Sequence, residues 1–124
     1  MIAADTNVVI GWLENRDDPV IDRFGWLLRQ RLIVLPPVVV TELWSAPSAQ
    51  PGMGDLLAGL TVLPIVDGYW ERAGLLRARL FAEGRRARLG DALIAQSCLD
   101  ADAALLTRDE DFAAFEALAG LKRA

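Results

Sequence analysis

Four acidic residues stand where a carboxylate is hard to explain as surface decoration: Asp5, Glu42, Asp91 and Asp109. Asp91 follows Gly90 and lies in line with Ile94, Ala95, Cys98 and Leu99, which recur at helical spacing. A carboxylate three or four residues from core side chains points toward the interior, and an unpaired buried charge is costly, so Asp91 calls for a cation. Glu42 is framed in the same way by Val38, Val39 and Ala46, the alternative being a helix-end glutamate that reaches solvent past the small Ala46. Asp5, with Thr6 and Asn7, follows a short apolar start, where an ordinary helix cap is an equally good reading. Asp109 belongs to the polar turn Thr107-Arg108-Asp109 that closes the apolar run Ala103-Ala104-Leu105-Leu106.

The surrounding pattern says what must hold these side chains. Residues 1–4, 32–35, 61–66 and 103–106 are apolar runs of strand length, the third carrying Pro64 and so belonging near an edge or a strand end. Between them lie helical segments: 8–13, 20–31 with Ile21, Phe24, Leu27 and Leu28 inward, 38–46 after Pro36-Pro37, 56–60, and 68–83 capped by Asp67. The helix opened by Asp91 follows, and Asp111-Phe112 opens a last one through Ala119. Residues 47–55 read as loop and 120–124 as a short tail. This alternation calls for an α/β fold, a mostly parallel sheet of about four or five strands with helices on both faces, in one domain over residues 1–124. Ligands of such sheets collect at the carboxyl ends of the strands, and all four acids fall at element junctions on that side.

Absences narrow the chemistry further. There is no histidine, which removes Ser-His-Asp and Cys-His nucleophiles and imidazole ligands for zinc. The only lysine is Lys122, and no glycine-rich phosphate cradle is present. The single cysteine, Cys98, lies on the apolar helix face and reads as an inert buried thiol. No apolar run reaches the roughly 18 residues that span a bilayer, and no leader pattern opens the chain, so a cytoplasmic protein is expected. Carboxylate, hydroxyl, amide and guanidinium groups remain. A cluster of carboxylates raises its own pKa values unless a cation neutralises it, and oxygen-only ligands select a hard ion, Mg²⁺ or Mn²⁺. Such an ion activates water and neutralises charge building on phosphorus, which makes a phosphodiester the natural substrate class.

Four segments, Ile-Ala-Ala-Asp5-Thr6-Asn7-Val-Val-Ile, Leu-Pro-Pro-Val-Val-Val-Thr41-Glu42-Leu, Gly-Asp91-Ala-Leu-Ile-Ala and Leu-Leu-Thr107-Arg108-Asp109-Glu110-Asp111-Phe112, in this order, closely resemble PIN-domain ribonucleases. The nearest subgroup is the VapC-like toxins of type II toxin-antitoxin systems. The resemblance covers nearly the whole chain. It implies an acidic pocket of Asp5, Glu42, Asp91 and Asp109, with Asp5 and Asp91 as the direct Mg²⁺ ligands and Glu42 and Asp109 as further candidates. Thr6, Asn7 and Thr107 match supporting polar positions, and Asp111 is either the fourth acid in place of Asp109 or a cap of the last helix. It also implies an RNA substrate, a homodimer, and a cognate antitoxin that inserts a segment into the acidic groove. The stretch between Glu42 and the third strand is somewhat shorter than the projecting helical pair of that family.

Net charge is −4, yet twelve of the thirteen cationic residues are arginine, and Arg85, Arg86, Arg88 and Arg108 lie close to the acidic motifs, where they are candidates for RNA phosphate contact. Trp12, Trp26, Trp44 and Trp70 exceed what a core of this size needs, so one or two are candidate interface anchors. The rival readings are a phospho-acceptor module, disfavoured by the lack of a well-placed lysine, a non-catalytic PIN-fold binding module, and a PIN nuclease without an antitoxin.

Overall fold

The computed structural model describes residues 1–47 and 51–124. Among these, four short strands, β1 (Ile2–Ala4), β2 (Ile33–Leu35), β3 (Thr61–Val62) and β4 (Ala104–Leu106), form one parallel sheet in the order β3-β2-β1-β4. Seven helices of the described residues surround it: α1 (Thr6–Leu13), α2 (Pro19–Arg29), α3 (Pro37–Ser45), α4 (Met53–Ala58), α5 (Tyr69–Ala82), α6 (Leu89–Ala101) and α7 (Ala113–Ala119). The interior strands are uniformly apolar because helices cover both faces, and β2 is buried at every residue. Phe24, Phe112, Leu35, Leu43, Met53 and Leu80 are fully buried, and burial of each such side chain stabilises the fold by roughly 1.5–3 kcal/mol.

The strand order carries the functional geometry. The chain winds outward from β1 through β2 to β3, then crosses back to lay β4 on the other side of β1, pairing Ile2, Ala3 and Ala4 with Ala104, Leu105 and Leu106. The direction of winding therefore reverses between β1 and β4. In an open parallel sheet the crevice at such a reversal, beyond the carboxyl ends of the two strands, is where ligands bind. Asp5 follows β1 and Thr107 follows β4.

Several expected boundaries shift, each for a local reason. β3 stops at Val62 and not at Val66: Leu63 N still donates to Leu35 O at 2.8 Å, but Pro64 has no N–H to continue the ladder. Asp67 does not cap α5; Gly68 holds the N-cap position at φ 80° with no side-chain cap bond. The helix expected at 56–60 begins earlier, at Met53, after Gly52 at φ 82°, while Ser48, Ala49 and Gln50, within the expected loop, lie outside the described residues. The helix expected to open at Asp91 starts two residues earlier, at Leu89, with Arg88 as N-cap and Gly90 inside its first turn. The last helix is preceded by a 3₁₀ turn, Glu110–Phe112, capped by Asp109 and not by Asp111. The expected free tail is docked: it runs parallel to β4, with Leu105 N donating to Lys122 O and Ala124 N to Leu105 O, both at 2.8 Å.

Candidate active site

Each acidic side chain is aimed by its own element. Asp5 ends β1 with its amide donating to Leu106 O at 3.0 Å, and its extended backbone makes it the N-cap of α1. Its Oδ1 accepts from Thr6 N at 2.8 Å and its Oδ2 from Thr107 Oγ1 at 2.6 Å. Only 6% of Asp5 is exposed, and burial raises its pKa against these two bonds, with Glu42 and Asp109 adding repulsion. Glu42, in α3, accepts from Thr6 Oγ1 at 2.7 Å, and its other oxygen faces Gly90, where a Cβ would lie 3.5 Å away. The alternating apolar residues of α3 thus hold Glu42 toward α6 and the end of β1.

Asp91 occupies the first turn of α6, where no side chain caps the helix and a negative charge complements the exposed N–H groups. It is half-buried, and its pKa is pushed up to about 6, first by desolvation, then by repulsion from Asp109 and Asp5, with Arg88 pulling it down. Asp109 is fixed by a relay of short bonds. Thr107 Oγ1 accepts from Asp109 N at 2.9 Å, and Asp109 Oδ1 accepts from Asp111 N at 2.8 Å. One carboxylate oxygen from each of Asp91, Asp109 and Asp111 falls within 4.8 Å of the others.

The four acids and both threonines expected from the sequence therefore meet at the β1/β4 reversal, joined by Asp111. Asp109 supplies the cap of the 3₁₀ turn, and Asp109 and Asp111 each bring a carboxylate oxygen to the cluster. Asp5 stands behind that trio with both oxygens engaged. Asn7, in the first turn of α1, keeps a buried Oδ1 without a hydrogen-bond partner.

A PIN domain model matches residues 2–118. The chain belongs to the PIN domain family. No curated protein matches it. Among solved structures this PIN domain is similar to a chain of VapBC2 from Rickettsia felis, bound to a DNA fragment from their promoter, with TM-score 0.78 and 20% identity over 100% of this chain and 98% of that one. It is also similar to FitAcB from Neisseria gonorrhoeae (TM-score 0.73, 20% identity, covering 99% and 96%) and to VapBC-5 of Mycobacterium tuberculosis, a member of the VapBC family of toxin-antitoxin systems (TM-score 0.64, 24% identity, covering 99% and 98%). At these identities the likeness is one of fold.

The arginines divide into two groups. Arg85 and Arg86 are exposed and line a cleft of about 250 Å³ with Glu110 and Asp111, and Arg88 is close enough to Asp91 to act on its charge. Arg108 is instead engaged by Asp18, Nε to Oδ2 at 3.2 Å, while Asp18 Oδ1 caps α2 through Val20 N. That ion pair ties the Thr107–Asp109 turn to the start of α2, an attachment with no signal in the sequence because its partners lie ninety positions apart. Cys98 is buried, as its place on the apolar helix face suggests, and burial pushes its thiol up to about 12. Trp12 packs edge-on against Phe24, whereas Trp26 and Trp70 are more than half exposed. Among the described residues no helix is long and apolar enough to cross a membrane.

Proposed function

We propose that this PIN domain is a Mg²⁺-dependent endoribonuclease, with Mn²⁺ as a substitute, and the toxin of a cytoplasmic toxin-antitoxin pair. The observation that carries the proposal is the convergence of Asp91, Asp109 and Asp111 within 4.8 Å, backed by Asp5, at the crevice where the parallel sheet reverses its winding. Carboxylate oxygens without imidazole or thiolate are a donor set for a hard divalent ion, and a PIN fold supplies the nuclease context. Asp91, Asp109 and Asp111 would hold such an ion, with Asp5 and Glu42 as further acceptors. Bound there, it supplies charge neutralisation at the phosphate and activation of the attacking water.

The chain's own residues do the rest. Thr107 orients Asp5 and Asp109 through one hydroxyl, and Thr6 orients Glu42. The exposed Arg85 and Arg86, with Arg88 beside Asp91, offer guanidinium groups to the phosphates flanking the scissile bond, while Arg108 reaches RNA only by releasing Asp18. Hydrolysis forms one bond from water oxygen to phosphorus and breaks one from phosphorus to the leaving ribose oxygen. The names VapBC2 and VapBC-5 borne by structures of like fold support the antitoxin partner, and exposed Trp70, Ile65 and Val66 beside Tyr69 and Val38 offer the apolar surface a homodimer needs.

The test is cleavage of a structured RNA pool by the purified protein with Mg²⁺ or Mn²⁺, with EDTA, and by Asp91→Asn. Metal-dependent cutting that the variant loses is the expected result. A folded protein that neither cuts RNA nor binds Mn²⁺ by calorimetry replaces the proposal with the binding-module reading.

A further inference from the structure

Arg123 sits in the segment after α7 that runs beside β4, and its guanidinium spans three acceptors. Nε and Nη2 reach Glu116 Oε2 at 3.0 and 2.9 Å, Nη1 reaches Glu110 Oε1 at 3.2 Å, and Nη2 donates to the carbonyl of Asp109 at 3.3 Å. Asp109 is thereby held at both ends of its backbone: the amide by Thr107 and the carbonyl by Arg123. Its carboxylate in turn receives the Asp111 amide. One planar fork therefore braces, from outside, the turn that aims two of the three clustered carboxylates.

The strand pairing does not need this side chain. Main-chain bonds from Leu105 N to Lys122 O and from Ala124 N to Leu105 O hold the segment in place. The neighbouring Lys122–Asp102 ion pair has side chains 65% and 82% exposed and contributes little, whereas the Arg123 side chain is only 25% exposed and faces Glu116 at 32%. Arg123 pairs with Glu110 and Glu116, and its removal leaves both carboxylates uncompensated, which by charge alone favours a bound cation; weaker binding on its loss therefore reports lost geometry. A lysine in its place has one donor point and cannot span Glu110, Glu116 and the Asp109 carbonyl together.

We propose that Arg123 is a positioning residue for the acidic centre, holding Asp109 and Asp111 in their ligating orientation; this rests on the metal-dependent nuclease reading above. The experiment is a Mn²⁺ titration by calorimetry of the full chain, paired with amide hydrogen exchange, for the parent, Arg123→Ala, Arg123→Lys, Lys122→Ala and Asp91→Asn. Outer supports of metal ligands are worth about 10- to 100-fold in affinity, so Arg123→Ala weakens Mn²⁺ binding by that factor. It also speeds exchange at the Asp109 and Asp111 amides, Arg123→Lys falls between, excess Mn²⁺ restores RNA cleavage, and Lys122→Ala matches the parent. Should Arg123→Ala melt without cooperativity, Arg123→Lys carries the comparison. Parent-like or tighter Mn²⁺ binding with unchanged exchange overturns the role of Arg123 while Asp91→Asn still reports the metal site. A parent that binds no Mn²⁺ removes the nuclease reading and the role of Arg123 with it.

Discussion

Thr107 and Asp5, 102 residues apart in sequence, share a 2.6 Å hydrogen bond in which the threonine hydroxyl donates to a carboxylate oxygen. The same hydroxyl accepts from the Asp109 amide at 2.9 Å, so one buried atom ties the end of β1 to the turn after β4. Thr107→Val keeps the shape and removes both bonds. The expected cost is about 1–3 kcal/mol of stability, read from urea melts, because buried Asp5 Oδ2 loses its donor. A drop in cleavage of about 10- to 100-fold should accompany it, and Thr107→Ser should recover most of both. A fully active valine variant contradicts the coupling.

Asp91 sets the pH response. Its pKa in the folded chain is pushed up to about 6 from an ordinary 3.8, so the folded state binds more protons than the unfolded state between those values. The stabilisation from a protonated Asp91 is fully present below about pH 4 and is lost as pH rises through about 6. In EDTA, Asp91→Asn should therefore be the more stable protein at pH 7.5, by about 1 kcal/mol after allowance for the partial exposure of the group, with the gap closing toward pH 4. In the parent, Mn²⁺ affinity should fall below about pH 6 as proton and ion compete for the same oxygen atoms. Equal pH dependence of parent and variant melts would count against this assignment.

Asp109 and Asp111 can be separated by their amide substitutions. Asn at position 109 still accepts from Asp111 N and keeps the 3₁₀ cap, so Asp109→Asn should melt within about 0.5 kcal/mol of the parent. Both Asp109→Asn and Asp111→Asn should weaken Mn²⁺ binding in calorimetry, since each removes one charge from the trio. If only one of them does so, the other carboxylate lies outside the ligand set.

The exposed Arg85 and Arg86 carry the proposed grip on substrate. Changing both to Gln should raise KM for RNA with kcat nearly unchanged. It should also flatten the dependence of log affinity on log salt by about 0.7 for each phosphate that the double variant no longer neutralises. A change in kcat with KM constant places them in the chemical step instead.

Much of this architecture is legible in the residues. β1, β2 and β4 appear as apolar runs because parallel strands covered on both faces need no polar alternation, and the inward Asp91 betrays itself by sharing a stripe with Ile94, Ala95 and Cys98. Sequence and structure part where a single backbone atom decides. Pro64 truncates β3, and the αL glycine at position 68 takes the capping place expected for Asp67. The Arg108–Asp18 and Arg123–Glu116 pairs are invisible beforehand, because arginine and acid at long or unpatterned spacing look alike whether or not they meet. Asp111 is ambiguous in the sequence for a related reason: whether it caps or ligates depends on which neighbour takes the Asp109 oxygen, a matter of torsion angles.

Because β4 lies against β1, the acidic centre cannot close until β4 and the turn after it have left the ribosome. A nascent chain that has emerged through α6 already carries Asp5, Glu42 and Asp91, but it has neither the strand that closes that side of β1 nor Thr107, Asp109 and Asp111. Pairings this distant in sequence form slowly, after local helices have settled. A ribosome can thus translate most of this PIN domain before its acidic centre exists, and copies terminated before β4 are made without it.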